Sequence, residues 1–411
     1  MALDEHLFRR EAGRIVAALT RVFGVHNLAL AEDVVQDALC RALEVWKFRG
    51  VPENPSAWLM TTARNRALDV LRRERTARSF APELGRLLES EWTVAPALDQ
   101  LLEPGAIRDD QLRMMFSCCH PRLSEEAQIA LVLQILCGFG TGEIASAFLC
   151  KEAAIEKRIS RGKKALAGAK TLFDLASTAD FSSRLGAVQR ALYLLFNEGY
   201  HGASESAVRV GLCSEAIRLA SLLLEHAPSA TPASHALAAL MCLHAARLPA
   251  RVDGAGDLIP LLDQDRARWD ERLVVEGRRL LHLSATGTEL TEYHVEAAIA
   301  SVHAEAESVA QTRWDQIVTL YDTLLAIRRS PVVALQRALA VSQLEGPHRG
   351  LEELRAIEGS ERLAGYPFYS AALGELELRC GNREIASGHF RAALSMARND
   401  LERRFIAGRL A

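Results

Sequence analysis

The sequence predicts an all-α protein, and two observations support that prediction. Apolar residues recur at spacings of three and four positions along almost all of the 411 residues, which is the period of an amphipathic helix. Alanine and leucine are abundant, whereas alternating runs of valine, isoleucine and threonine, typical of strands, are nearly absent. Prolines and polar stretches divide the chain into three helical blocks. We therefore expect two small helical domains followed by a larger helical array.

The bulk composition is ordinary for a soluble globular protein. The chain is 49% hydrophobic and 25% charged, with a formal net charge of −3. A nucleic-acid-binding surface must therefore concentrate its positive charge locally. No apolar run approaches the roughly 20 residues of a membrane span, and the start, MALDEHLFRREAGRIV, lacks the apolar core of a signal peptide. We expect a cytoplasmic protein with no membrane partner.

The cysteines predict neither disulfides nor a metal site. Eight are spread along the chain without a disulfide framework, mostly inside apolar helical patterns, so we expect reduced and buried thiols. The run Cys118–Cys119–His120 contains metal-ligating residue types, but no second ligand pair stands at a recognised zinc spacing. The sequence therefore predicts no metal, no cofactor and no catalytic residue.

In the first block, the stretch LALAEDVVQDALCRALEVW predicts an amphipathic helix with an acidic side. Leu28, Val35, Leu39, Ala42 and Leu43 form its apolar stripe, while Glu32, Asp33, Gln36 and Asp37 line the other side. Acidic residues early in a helix suit its dipole. They are equally suited to docking a basic partner, and the sequence leaves both interpretations open.

The next stretch, NPSAWLMTTARNRALDVLRRERTAR, predicts a basic helix that begins near Ala57 and is capped by Ser56. From Thr61 to Arg78 it has six arginines against two acids. Asn65 is a suitable group for an adenine edge, and arginine for phosphate. Trp46, Phe48 and Trp58 flank the loop before this helix, where they either stack on bases or belong to the core.

Residues 79–110 have the composition of an acidic linker. They contain Pro82, Pro96 and Pro104, and from residue 81 onward they carry seven acids against two arginines. At most short helices are expected there. The second helical block follows from residue 111.

The stretch TGEIASAFLCKEAAIEKRISRGKKAL predicts a helix-turn-helix. Thr141 is the expected N-cap of its first helix. Ile155, Ile159 and Leu166 of the second helix are expected to point inward. Between residues 151 and 170 there are seven bases and two acids, a local charge of +5. Such a helix either enters a DNA major groove or forms a solvated charged face.

The third block, residues 180–411, contains faint internal repeats. In YPFYSAALGELELRCGNREIASGHFRAALSMARND, small residues such as Gly374 are spaced to let two helices approach, and Phe390 is expected to fill the groove between them. The most polar stretch of the block is RVDGAGDLIPLLDQDRARWD. Its residues form either a regulatory groove or a capped loop tied by Asp–Arg pairs; they are Asp253, Asp263, Asp265, Arg266 and Trp269.

In this order the elements resemble a bacterial sigma factor of the extracytoplasmic-function type, within the sigma-70 superfamily. The stretches that carry the resemblance are AEDVVQDALCRALEVW, NPSAWLMTTARNRALDVLRR and LCGFGTGEIASAFLCKEAAIEKRISRGKKAL. The remaining chain, including YLLFNEGYHGASES and DLIPLLDQDRARWD, is similar to the subgroup with a large C-terminal tetratricopeptide-like domain. The resemblance implies sigma region 2 at residues 1–78, a linker at 79–110, region 4 at 111–172 and a regulatory domain at 180–411.

The resemblance also implies partners and site residues. The partners are RNA polymerase core, through its β′ clamp and β flap, double- and single-stranded promoter DNA, and a protein or small ligand of the C-terminal domain. The core-binding residues are Asp33, Gln36, Asp37, Leu39 and Leu43. The residues for the minus-ten element are Phe48, Asn54, Trp58, Arg64, Asn65, Arg66, Asp69, Arg72 and Arg73. The residues for the minus-thirty-five element are Lys151, Glu152, Ala153, Ala154, Glu156, Lys157, Arg158, Ser160, Arg161 and Lys164.

Three alternatives remain at this point. A regulator that binds DNA alone through its helix-turn-helix would not need the acidic face around Asp33 and Asp37. A tetratricopeptide scaffold or ligand sensor would direct no transcription with purified core polymerase. An enzyme would need an acid–base or nucleophile set, and none can be named in the sequence.

Overall fold

The computed structural model describes residues 5–24, 27–73, 104–120, 123–148, 150–167, 178–201, 208–254, 256–397 and 400–410. Across these residues the regular secondary structure is helical, with one isolated β-bridge between Val252 and Leu258. The all-α prediction is thus confirmed. The chain divides into two compact units, unit 1 at residues 1–195 and unit 2 at residues 196–411.

Unit 1 contains seven complete helices among its described residues and most of an eighth. They are α1 (Glu5–Phe23), α2 (Leu28–Arg49), α3 (Pro55–Arg73), α4 (Pro104–Cys118), α5 (Glu125–Ile135), α6 (Thr141–Ala147), α7 (Glu152–Ala167) and α8 (Thr178–His201), which crosses the boundary between the units. Helix α1 packs against α2, α3 and α4, and helix α5 packs against α4, α6 and α7. The side chains of α5 are almost all buried, so this helix forms the centre of the second block.

Two glycines allow close helix approaches in unit 1. A Cβ atom at Gly13 of α1 would overlap the backbone carbonyl of Leu136, just after α5. A Cβ atom at Gly162 of α7 would lie 2.8 Å from a methyl group of Leu131 in α5. The first approach joins the two predicted N-terminal domains, and the second holds the basic helix against the core of its own domain.

Unit 2 contains ten α-helices among its described residues. They are α9 (Val210–Glu225), α10 (Pro232–Ala245), α11 (Glu271–Ser284), α12 (Glu292–Glu305), α13 (Trp314–Ile327), α14 (Pro331–Leu344), α15 (Pro347–Arg355), α16 (Pro367–Arg379), α17 (Arg383–Ser395) and α18 (Asp400–Ala407). Each packs against its neighbour in sequence, as in a helical array. A Cβ atom at Gly374 would lie 2.9 Å from the ring of Phe390, so this glycine leaves room for that ring.

Several boundaries differ from the sequence prediction. Asn54, not Ser56, caps α3: its side-chain oxygen accepts a hydrogen bond from the Ala57 amide at 3.0 Å. Thr141 is the first residue of α6 rather than its N-cap, and the preceding Gly140 amide donates to Glu143 at 2.9 Å. Helix α4 begins at Pro104, within the range predicted as linker, since proline is favoured in the first turn of a helix. Residues 79–103 of that linker lie outside the described residues.

Candidate functional site

The outer face of α2 is acidic, and it lies opposite the buried stripe of that helix. Asp33, Gln36 and Asp37 are exposed, while the residues facing the core include Val34, Val35, Ala38, Ala42 and Trp46. Leu39 is half-buried at the edge, and Leu43 is 49% exposed. The apolar stripe predicted from the sequence therefore ends before Leu43, which is displayed beside the acids. The helical period adds Cys40 and Glu44 to the same outer face, and sequence reasoning missed them.

One ion pair connects this acidic face to the predicted DNA helix. The Nε atom of Arg66 in α3 lies 2.7 Å from Oδ2 of Asp37 in α2. Both side chains are about half exposed, so the pair adds little to the free energy of unfolding. The pair positions the Arg66 guanidinium beside the predicted polymerase-binding residues.

The three aromatics around the loop between α2 and α3 have different environments. Trp46 is buried between Phe8 and Trp58, whose rings each lie 5.4 Å from its own, measured between centroids. Trp58 is half-buried at the edge of this cluster. Phe48, near the end of α2, is 84% exposed, with the Lys47 ammonium 5.9 Å from its ring centroid. Of the three, Phe48 is the ring with a free face for stacking.

Helix α3 presents a polar stripe that continues from Asn54. Asn65 and Asp69 are exposed, and Arg64 and Arg66 are half-buried beside them. The guanidinium of Arg64 donates to the Asn65 side chain at 3.4 Å. The backbone of Arg72 and Arg73 continues the helix, but their side chains lie outside the described ones. This stripe faces away from the buried Leu59, Ala63 and Ala67.

Helix α7 separates its buried and exposed residues along two opposite stripes. Ile155, Ile159, Gly162 and Leu166 are buried, as predicted for three of them. The opposite stripe carries Ala153, Lys157, Ser160 and Lys164, all exposed and spaced by three or four residues. Glu156 and Arg161 are exposed at its edges, Lys151 is exposed before the helix, and Ala154 is half-buried. A helix with this outer face has the shape needed to enter a major groove.

Two of the residues predicted to contact DNA also make contacts that hold α7 in place. The Thr141 hydroxyl at the start of α6 donates to Oε1 of Glu152 at 2.6 Å, which ties the two helices of the helix-turn-helix together. The guanidinium of Arg158 lies 2.7 Å from Glu126 of α5. Both interactions fix the angle at which the outer stripe of α7 is presented.

Ion pairs also connect the two N-terminal blocks directly. The Lys163 ammonium of α7 lies 2.7 and 2.8 Å from the two carboxylate oxygens of Glu32 in α2. Arg9 of α1 donates to Glu143 of α6 at 3.0 Å. Arg21 of α1 pairs at 3.4 Å with Asp110, whose side chain is buried in α4. From the sequence, Lys163 was only one of the seven basic residues between positions 151 and 170. Its pairing with Glu32 was not predicted, because a partner so distant in the chain leaves no local pattern.

Of the residues predicted to form a regulatory groove, Arg266 and Trp269 lie in contact with each other. Arg266 donates to the carbonyl oxygens of His303 and Ala306 at 2.8 and 2.6 Å, and its guanidinium lies 5.4 Å from the ring of buried Trp269. Asp265 caps a short 3₁₀ turn, and Asp253 accepts from the amide of Asp257. Of the five predicted residues, Asp263 lines a cavity of unit 2.

The described part of the chain has neither a metal-binding cluster nor a membrane-spanning helix. No group of three or more His, Cys, Asp or Glu side chains there is arranged to bind a metal ion. Burial raises the pKa of the thiols of Cys118 and Cys119, and neither forms a disulfide. Among the same residues, every helix is too short or too polar to cross a lipid bilayer.

Comparison with known proteins matches both N-terminal blocks to described families. Residues 7–77 match the family described as Sigma-70 region 2, and residues 113–166 match Sigma-70, region 4. Residues 184–285 match a family of unknown function, DUF6596. An uncharacterized protein of Rhizobium meliloti (strain 1021) is 40% identical over 395 residues, which are 95% of this chain and 91% of that protein. No solved structure matches the chain.

Proposed function

Because the chain belongs to the sigma-70 family of sigma factors, whose members act in promoter recognition and transcription initiation with RNA polymerase core, we propose how its own surfaces divide that work. We assign it to the extracytoplasmic-function type with a tetratricopeptide-like C-terminal domain. The domains are region 2 at residues 1–78, a linker at 79–110, region 4 at 111–172 and a regulatory domain at 180–411.

The proposal rests on one observation: helices α2 and α7 each have a buried apolar stripe on one side and an exposed charged stripe on the opposite side. On α2 the acids Asp33 and Asp37 stand opposite the core-facing residues. On α7 the lysines Lys157 and Lys164 stand opposite Ile155 and Ile159. A helix held by one face and charged on the other suits recognition of a partner of opposite charge. The acidic stripe docks on a basic part of the β′ clamp, and the basic stripe enters the major groove of the minus-thirty-five element.

The minus-ten element meets the end of α2, the following loop and α3. Phe48 supplies an exposed ring on which an unpaired base stacks, and Asn65 supplies hydrogen bonds to a base edge. Opening a base pair costs a few kcal/mol, which stacking and phosphate contacts must offset. The buried Trp46 and half-buried Trp58 support this loop from behind.

The two DNA-contacting helices must separate before both elements are bound. Elements centred about 25 base pairs apart lie about 85 Å apart along B-form DNA, at about 3.4 Å per base pair. In the free chain α7 is joined to α2 through Lys163 and Glu32. The packed unit 1 is therefore a closed form, and binding to polymerase core, including its β flap, must open it.

The remaining parts of the proposal concern the C-terminal domain and the place of action. Unit 2 tunes the sigma activity in response to a protein or small ligand. The chain acts in the cytoplasm and performs no catalytic step, since polymerase forms the phosphodiester bonds.

Run-off transcription with purified core polymerase tests the proposal. The whole chain is expected to direct initiation at a defined promoter, and Asp33→Arg with Gln36→Arg is expected to abolish both core binding and transcripts. Glu307→Arg, which reverses the charge of an exposed acid of unit 2, serves as the control and should change neither. The alternative is a regulator that binds DNA by itself. In that case the wild-type chain and the double variant should bind promoter duplex equally well, and core polymerase should change neither affinity.

A further inference from the structure

Unit 2 contains a cavity of about 520 Å³ among the helices of its array. Clefts of about 300–1,000 Å³ with mostly apolar walls are the usual sites of small ligands. Residues of α12, α13, α14, α16, α17 and α18 line it, together with the segment 258–263. Six of the lining residues are aromatic: Trp314, Tyr321, Tyr366, Phe368, Phe390 and Phe405.

The segment 256–263 forms part of the wall of this cavity. Its apolar residues, such as Leu258 and Leu261, line the space. Asp257 of the segment pairs with Arg404 of α18 at 2.6 Å, and Asp263 lies 3.4 Å from Arg409 near the end of the chain. These ion pairs join residues more than a hundred positions apart and hold the segment across the array. A space of about 520 Å³ has the size of a small-molecule site.

One buried polar group in the cavity wall lacks a protein partner. His303 is 6% exposed, and its Nδ1 atom is buried without a hydrogen bond among the described residues. Its ring packs edge-on against Trp314, with centroids 5.4 Å apart. An unpaired polar atom in a protein interior costs free energy, so this nitrogen lowers the stability of the folded chain. Burial, together with the charges of Arg247 and Arg266, lowers the pKa of His303 to about 3, so the ring is neutral.

The charged residues of the cavity favour an anion. Its lining contains three arginines, Arg251, Arg379 and Arg409, against the two acids Asp263 and Glu375, a net charge of +1. Both acids already lie beside Arg409, at 3.4 and 3.3 Å. A cationic ligand would have to displace that arginine, whereas an acidic group can approach Arg379, which is exposed at the cavity.

We propose that this cavity is a binding site for a small amphipathic acid, with an apolar body among the aromatic side chains and one carboxylate toward Arg379. The site is distinct from every surface assigned above to polymerase or DNA. The inference concerns binding alone, so it stands or falls independently of whether unit 2 tunes transcription.

Fluorescence titration of the full chain with dansyl-undecanoate tests the proposal, and the uncharged methyl ester of the same probe serves as the comparison. We expect saturable binding of one probe per chain, with the carboxylate bound at least tenfold more tightly than the ester. Arg379→Gln should remove most of that difference. Arg383→Gln, an exposed arginine that does not line the cavity, should leave it unchanged.

Two further variants distinguish the cavity from a nonspecific apolar surface. Leu339→Trp fills the space from a half-buried position and should weaken probe binding at least tenfold. His303→Phe removes an unpaired nitrogen that is enclosed in the protein, so it should raise the melting temperature of the free chain and leave probe affinity unchanged. The proposal is overturned if no saturable binding occurs, if acid and ester bind equally, or if Leu339→Trp leaves the affinity unchanged.

Discussion

The ammonium group of Lys163 lies 2.7 Å from the carboxylate of Glu32, and these residues are 131 positions apart in the chain. The pair joins the basic helix α7 to the acidic helix α2. Each side chain is 29% exposed, which places the interaction at the boundary between surface and interior. It is the most direct connection between the helix assigned to the minus-thirty-five element and the helix assigned to polymerase.

Reversing one charge of this pair is expected to loosen unit 1. Partly exposed pairs contribute about 0.2–1 kcal/mol, so Lys163→Glu should raise the open population by a factor of roughly 1.4 to 5. Adding Glu32→Lys to that variant should restore the closed form, since the pair is then re-formed with its charges exchanged. Distance distributions between spin labels on α2 and α7 measure the change. Lys164→Glu, on the outer stripe, is the control, and an equal loosening there would contradict the assignment.

Removing the ring of Phe48 should impair strand opening without destabilising the fold. The ring is 84% exposed, so its loss removes little buried area. Stacking of a base on an aromatic ring contributes about 1–3 kcal/mol, and Phe48→Ala should therefore reduce open-complex formation about tenfold or more. Permanganate footprinting of the promoter measures this effect. Phe48→Tyr retains the ring and should behave as wild type, whereas a defect in that variant would argue against stacking.

Neutralising the outer stripe of α7 should weaken duplex binding in a salt-dependent way. A lysine that contacts phosphate contributes about one unit to the slope of log affinity against log salt. Lys157→Gln is therefore expected to lower that slope by about one for minus-thirty-five duplex. Arg158→Gln, whose side chain is held by Glu126, should change the slope less. Fluorescence anisotropy at several salt concentrations compares them, and equal slopes in all three proteins would refute the assignment of the stripe.

Gly13→Ala should destabilise unit 1, because the new methyl group would overlap the backbone carbonyl of Leu136. A backbone group in a packed interior moves little, and overpacking of this kind costs about 1–3 kcal/mol. Gly186→Ala in helix α8 meets no atom within 4 Å and should instead stabilise by about 0.5–1 kcal/mol. Hydrogen exchange of amides in α1 and α5 measures both. Equal effects would mean that α1 and the end of α5 do not approach as closely as described.

Unit 2 should lose stability in mild acid because of His303. Burial lowers the pKa of this histidine in the folded chain to about 3, below its ordinary value of 6.5. The unfolded chain therefore takes up the proton first as the pH falls, so the stabilisation is complete above about pH 6.5 and declines below it. Between about pH 6.5 and pH 5 the expected loss is about 2 kcal/mol, at 1.36 kcal/mol per unit. Hydrogen exchange in α12 and α13 measures it, and His303→Phe should show a flatter pH profile.

The sequence determined the features that depend on neighbours a few residues apart. The all-α class follows from the apolar spacing, and the inward residues Ile155, Ile159 and Leu166 of α7 follow from its 3.6-residue period. The same period predicted that Asp33 and Asp37 share one face of α2. Even the order of the two basic helices along the chain, on which the family resemblance depends, is readable without coordinates.

Only the tertiary structure decided which of these residues are free to act. Of the three aromatics near the loop between α2 and α3, Trp46 is buried, Trp58 is half-buried and Phe48 is exposed. Trp46 is buried because Phe8 of α1 packs against it, and the local sequence around Trp46 does not encode that contact. It joined Lys163 to Glu32, and it assembled a cavity from six helices and one segment of unit 2. The physical reason is that burial and ion pairing are set by groups far apart in the chain, and no local period of the sequence encodes those distances.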